Sequence, residues 1–429
     1  MLRRLDLRGV DRADLPGRLP RPDAGGDEPV AAVRAILEEV RTRGDAAVRD
    51  FTERFDGVRL DELRVPAGDL ERALARTPAA LRAALEAALA AIEDYHRAQV
   101  REPVVHERDG VTVRELVRPV DRAGLYVPGG RATYPSTVLM TAVPARVAGV
   151  PEIVLCVPPD ATGRVADEVS AAAALAGVDE VYRVGGAQAV AAMAYGTETI
   201  PPVDVIVGPG NVYVAVAKRE VAAAGVVGVP SSFTGPSEVV VVADDTTPVE
   251  YAAIDVVVQA EHGPHGLAWL VTWSEAAADK ISDAVARIVA ESPRRADIEA
   301  TLAEGGYAVV CDGPGEAIEI SNLIAPEHLE LMSADPEALL PLVRHAGAVF
   351  CGPWAPASVG DYLAGPSHVL PTFGSARFAG ALRVDDFVKH VHVVSLDGAA
   401  LARVAPHVVA LANAEGLPAH AESVRIRGR

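Results

Sequence analysis

Apolar positions along the chain follow two periods that alternate from one end to the other. Between residues 29 and 90, Ala, Leu, Val and Ile recur every three or four positions with Arg and Glu between them, the period of amphipathic helices. Residues 111–119 alternate instead and read as a strand. From Gly124 onward, short β-rich runs at 124–127, 153–157, 180–184 and 203–207 are each followed by a Gly/Pro turn and an Ala-rich helical stretch. Continuous apolar runs alternating with helices predict a parallel βα domain, because crossover helices cover both faces of such a sheet. Runs at 238–243, 267–273, 307–311 and 348–350 repeat the pattern and predict a second βα domain, completed by the N-terminal helices. A polar leader (1–27) precedes them. Beyond Arg383 charged helices are expected, in a segment too small to bury a core of its own, which should pack on something else, another subunit included.

Composition narrows the class. A chain of 429 residues suggests two or three domains at roughly 150 residues each. Half of it is hydrophobic but only 4% aromatic, so the core is Ala, Val and Leu, as α/β packing favours. No apolar run approaches the ~20 residues of a membrane span, and the Arg-rich start (1–21) has no apolar signal core. A cytoplasmic protein is expected. The net charge of −19, from 59 acidic against 40 basic residues, disfavours nucleic acid and anionic membranes and leaves a small molecule as the expected partner. Cys156, Cys311 and Cys351 are too far apart for a thiolate cluster and are expected in the core.

Candidate chemistry falls in three groups. Glycine-rich turns follow predicted strands at VPGG (127–130), GGAQ (185–188) and GPGN (208–211). Such a turn before a helix offers free N–H groups and a positive dipole end to an anion. None is a GxGxxG fingerprint, since Tyr213 stands where its third glycine would be. Three turns in one domain nevertheless look like the rim of a ligand crevice. The stretch QAEH (259–262) places Gln259 and His262 three apart, on one face if helical. It is either a polar helix end or half of a metal site, in which case a carboxylate and a further imidazole must come from elsewhere, such as Asp361 and His420. In APEHLE (325–330), adjacent Glu327 and His328 follow a proline, either as ordinary helix N-terminal chemistry or as two proton-transfer groups on a rigid helix entry. A polar cluster of Ser358, Asp361, Tyr362, Ser367 and His368 follows the run at 348–350, in the strand-end position where α/β active sites usually lie.

With these segments in order, the chain resembles the histidinol dehydrogenases. The motifs carrying the resemblance are GLYVPGG (124–130), VGGAQ (184–188), GPGNVY (208–213), GPSE (235–238), QAEH (259–262), APEHLE (325–330), GDY (360–362), HVLPT (368–372), and Glu415 with His420. The resemblance implies an α/β homodimer with two incomplete Rossmann-like domains, an N-terminal arm and a C-terminal segment that crosses to the partner. The implied boundaries are 1–27 for the arm, 124–238 for the cofactor domain, 28–123 with 239–382 for a discontinuous catalytic domain, and 383–429 for the C-terminal segment. It implies one Zn2+ per subunit, held by Gln259, His262, Asp361 and His420. It further implies acid/base roles for Glu327 and His328, and NAD contacts from Tyr126, Gln188 and Asn211. Substrate contacts would come from Ser237, His368 and Glu415, together with Gln259, His262, His328, Asp361 and His420. The implied reaction takes L-histidinol to L-histidine through an aldehyde, with two NAD consumed.

Two positions depart from the family's usual pattern: Gly263 stands where an acidic residue is common, and Thr234 where alanine is common. Related zinc- and NAD-dependent dehydrogenases of other alcohols, such as sulfopropanediol, resemble the chain at Gly263. His368, Glu415 and His420 favour the imidazole-bearing substrate. A zinc hydrolase using Glu327 on a metal-bound water and a non-catalytic binding protein are the readings from other classes.

Overall fold

The computed structural model describes residues 1–20, 29–129, 132–230, 235, 237–261 and 266–428. Thr234, His262 and Gly263 fall outside the described residues.

Two parallel sheets organise the chain. The larger contains β1 (Arg3–Asp6), β8 (Glu238–Ala243), β9 (Leu267–Thr272), β10 (Gly306–Val310), β11 (His328–Met332) and β12 (Ala348–Cys351), in the order β1-β10-β9-β8-β11-β12. Its central strands are buried along their whole length, and separate apolar clusters lie on the two faces, one around Val239, Val241 and Ile281, the other around Val240, Val242 and Trp269. The four-stranded sheet, in the order β6-β5-β4-β7, is built of β4 (Arg122–Tyr126), β5 (Glu152–Val157), β6 (Glu180–Arg183) and β7 (Val205–Val207). All its pairings are parallel, as uniformly apolar runs joined by helices require. Cys156 and Cys311 are buried, whereas Cys351 is half-buried.

Three sequence expectations need correction. The helices over 30–97, expected to complete the catalytic domain, pack on the four-stranded sheet: Val33, Ile36 and Val40 meet Val154 and Tyr182, while Leu85 and Ile92 share a cluster with Leu125 and Val138. Their apolar stripes follow from their periodicity, but periodicity does not say which sheet a stripe covers. The leader is not merely polar, because Arg3–Asp6 is an edge strand with Arg3 in register with Tyr307. Beyond Arg383 the chain is not only helical: β13 (Val388–Leu396) pairs antiparallel with β3 (Val111–Pro119), which also pairs with β2 (Val105–Arg108). The helices Gly398–Ala414 and Pro418–Arg425 then pack on each other. This tail is thinly covered, with Val391, Val394, Leu411, Leu417 and Ile426 all exposed. Among the described residues no helix is long and apolar enough to cross a membrane.

Candidate active site

APEHLE does not open a helix. The helix Pro314–Ile324 ends at Ala325, whose left-handed φ of 53° turns the chain, and β11 begins at His328. Strand pairing places His328 beside Val239 and Ala348, so Glu327 and His328 sit at the amino edge of the large sheet. Sequence reasoning expected them at a helix entry. The helix Val249–Ala260 returns antiparallel to the strands, which brings Gln259, in its last turn, to the same edge. A helix C-terminus there carries partial negative charge and favours a bound cation. Asp361, on the short helix Ala357–Tyr362, completes the group, its Oδ1 lying 3.6 Å from His328 Nε2.

Glu238, the first residue of β8, holds both acid/base candidates through its backbone. Its N–H donates to Glu327 Oε2 at 3.0 Å, and its carbonyl lies 3.1 Å from His328 Nδ1. A carbonyl accepts only, so Nδ1 carries hydrogen and donates. Gln259 Nε2, at 3.3 Å from Nδ1, is then a packing contact. The buried atoms left without hydrogen-bond partners among the described residues include His328 Nε2, Gln259 Oε1, Glu238 Oε2 and Glu330 Oε2. The Phe350 ring stacks on His328, with centroids 5.9 Å apart.

The electrostatics are those of a shared proton in a dry site. Burial raises the Glu327 carboxyl to about 7 against the opposing pull of His328. For His328 burial acts downward, but the Glu327 and Asp361 carboxylates outweigh it and raise the imidazole to about 9. Two residues along β11, the Glu330 carboxyl faces Asp255 of helix Val249–Ala260; burial raises both, and Asp255 raises Glu330 further, so the pair retains a proton. Glu330 Oε1 also accepts from the Ala357 N–H at 3.0 Å. This buried pair thereby joins the strand carrying His328 to the helices carrying Gln259 and Asp361.

Tyr126, Gln188 and Asn211 converge on one cavity of about 910 Å³ at the carboxyl edge of the four-stranded sheet. The Gly186 N–H donates to the Tyr126 hydroxyl at 3.0 Å. Asn211 caps the helix Val212–Ala223, its side-chain oxygen accepting from Tyr213 and Val214 N–H, so its NH2 remains for a ligand. Both polar atoms of buried Gln188 lack hydrogen-bond partners among the described residues. Gly208 has φ +106°, and a Cβ there would lie 2.1 Å from the Tyr126 carbonyl oxygen, which is why the turn needs glycine. Buried Lys218 donates from below the turn to the Gly208 carbonyl.

The remaining assigned residues divide. His368 bridges the two sheets' elements, with Nδ1 2.9 Å from the Asp361 carbonyl oxygen and Nε2 3.1 Å from Thr137 Oγ1 on helix Pro135–Val147. Ser237 immediately precedes β8 and is half-buried. Glu415 and His420 are exposed on the C-terminal helices. Among the described residues no group of three or more His, Cys, Asp and Glu side chains is arranged to hold a metal. Sequence reasoning missed the Glu238 backbone, Phe350 and Thr137, as well as Phe55 and Asp56, which line the cavity from the N-terminal helices. Backbone roles and distant packing leave no residue-type signal.

The sequence profile of the histidinol dehydrogenase family matches residues 19–428. A histidinol dehydrogenase of Parasynechococcus marenigrum (strain WH8102) is 53% identical over 92% of this chain and 90% of its own length. Its counterpart in Chlorobaculum tepidum is 47% identical, covering 97% of each chain. The crystal structure of histidinol dehydrogenase from Elizabethkingia anophelis superposes with a TM-score of 0.94 at 33% identity, over 99% of this chain and 98% of that one. The chain belongs to the histidinol dehydrogenase family.

Proposed function

We propose that the protein oxidises L-histidinol to L-histidine through the aldehyde in the cytoplasm, passing two hydrides in turn to two molecules of NAD. The observation that carries this reading is the hold of Glu238 on His328: Nδ1–H is committed to a carbonyl, so proton exchange falls to Nε2, which has no hydrogen-bond partner among the described residues. With its imidazole raised to about 9, His328 acts as base in the neutral fraction that grows as pH rises toward 9, taking the alcohol proton at Nε2 as hydride leaves the carbinol carbon. Glu327, held at Oε2 by the Glu238 N–H, then removes a proton from the water that adds to the aldehyde. The second hydride leaves from that hydrate. Phe350 and the buried Asp255–Glu330 pair keep the imidazole in place and the site dry.

A divalent cation suits the donor set. Gln259 Oε1 is buried without a partner among the described residues, Asp361 adds a carboxylate, and the helix end adds partial negative charge. Zinc held by Gln259, His262 and Asp361, with His420 of a second subunit, would supply a positive centre that orients the substrate's imidazole and amine. The exposed C-terminal helices, with Glu415 and His420 on them, support a homodimer in which each tail completes the other subunit's site.

Counting NADH by absorbance against L-histidinol consumed tests the reading. Two NADH per substrate are expected, and one or none overturns it. NAD-independent hydrolysis would mark the zinc hydrolase instead.

A further inference from the structure

Glu330 and Asp255 are 1% and 7% exposed, and the proposed proton transfers use neither. Their carboxyls are hydrogen-bonded to each other. Two carboxylates offer no hydrogen between them, so this contact requires one proton. Its place follows from the neighbouring contacts. Glu330 Oε1 accepts from the Ala357 N–H at 3.0 Å, while Oε2, shielded from water, has no partner among the described residues as a bare acceptor. With hydrogen on Oε2, donating to the Asp255 carboxylate, that oxygen is satisfied. The mutual bond acts the same way, since it raises Glu330 and lowers Asp255. The charge of His328, on the same strand, opposes a proton on Glu330 without reversing the shift.

Each contact of the pair lies one structural repeat from a residue of the site. Asp255 and Gln259 are four apart in one helix and share a face. Ala357 begins the helix that carries Asp361 one turn on, and Pro356 before it has no side-chain oxygen to cap that helix, so Glu330 supplies the cap from a strand. His328 and Glu330 are two apart in β11 and stand on one side of the sheet. A shift at the pair is passed to three residues together. We propose that Glu330 and Asp255 are positioning residues, a clasp closed by one proton on Glu330 Oε2 that sets the spacing of Gln259 and Asp361 and so the grip of the site on its cation. The inference rests on the proposed cation site and adds what holds its ligands apart.

A clasp with one proton carries one negative charge, so an amide can replace the acid without changing that charge. Gln at position 330 would accept from the Ala357 N–H with its oxygen and donate to Asp255 with its NH2. Asp there keeps the carboxyl but withdraws it by a methylene. Zinc affinity of the full chain, measured at neutral pH by competition with a chromophoric chelator, separates the two. Glu330→Gln should bind zinc within about twofold of wild type, and Glu330→Asp about 10–100-fold more weakly. The KM for NAD+ should stay at its wild-type value in both, because the cofactor cavity lies on the other sheet, while kcat falls in Glu330→Asp alone. Equal zinc affinity in wild type and Glu330→Asp overturns the clasp. So does a loss in Glu330→Gln as large as in Glu330→Asp, which would make charge the agent. Should Glu330→Asp fail to fold, infrared difference spectra of wild type against Glu330→Gln decide: the carbonyl stretch of a protonated carboxyl should appear in wild type alone, and its absence overturns the assignment. These measurements need no turnover, so absence of NADH formation from L-histidinol would sink the proposed reaction and leave the clasp standing, whereas a wild type that binds no zinc overturns the cation site and the clasp's role together.

Discussion

Glu238 acts on the chemistry through its main chain, and this determines what substitution can reach. The N–H that holds Glu327 and the carbonyl that holds His328 survive every change of the Glu238 side chain but that to proline, so the more informative substitution is in the imidazole. His328→Asn keeps a side-chain N–H for the Glu238 carbonyl but removes the basic nitrogen. We expect kcat to fall by about 10²–10⁴-fold, the usual contribution of a positioned base, with zinc content by atomic absorption unchanged; loss of zinc instead would make His328 a ligand. Many residues of the site were legible as chemistry. Gln188, Tyr126 and Asn211 are drawn to one cavity, and Gln259, Glu327, His328 and Asp361 to one sheet edge. Asp56 was not legible, because an acid at the end of an amphipathic helix is ordinary until the fold buries its oxygen.

Elements were legible in proportion to how apolar they are. Strands such as EVVVVA (238–243) declare themselves, whereas β11 carries His328 and Glu330 at buried positions and so reads as something else. β13, VKHVHVVSL, alternates like a half-exposed strand but was expected to be helical, since its pairing partner β3 lies more than 250 residues earlier and nothing local names it. The helix Val212–Ala223 shows how an element can serve a turn. Lys218 is completely buried beneath Gly208, and burial lowers its amine to about 7. The unfolded chain binds that proton up to about 10.5, so between pH 7 and 10.5 it binds more protons than the native state does, and stability contributed by this group rises with pH. Below 7 both states are protonated and the native state bears the full cost. In Lys218→Met that rise should vanish. Urea midpoints at pH 7 and 9 measure it, and an equal pH dependence in wild type and variant would mean that the amine is solvated.

At the scale of the whole molecule, the candidate site lies between the amino edge of one sheet and the carboxyl edge of the other, joined through His368 and Thr137. Neither sheet carries the chemistry by itself. Glu415 and His420 lie exposed on the thinly packed tail, and the proposed shared site has each tail reach the other subunit. Mixing and refolding two inactive variants, His328→Asn and His420→Ala, should restore about a quarter of wild-type activity if subunits pair at random, since half the dimers then hold one intact site of two. No recovery would place His420 in its own subunit's site.

The pairing of β1 with β10 also has a cost in time. Arg3 and its neighbour Tyr307 are 304 residues apart, so at ordinary synthesis rates the first strand waits on the order of 15–60 s for its partner to leave the ribosome. A strand kept waiting unpaired is safest when it is charged. The sequence Arg3-Arg4-Leu5-Asp6, which hid this strand behind a polar leader, is also what lets it wait in water without aggregating.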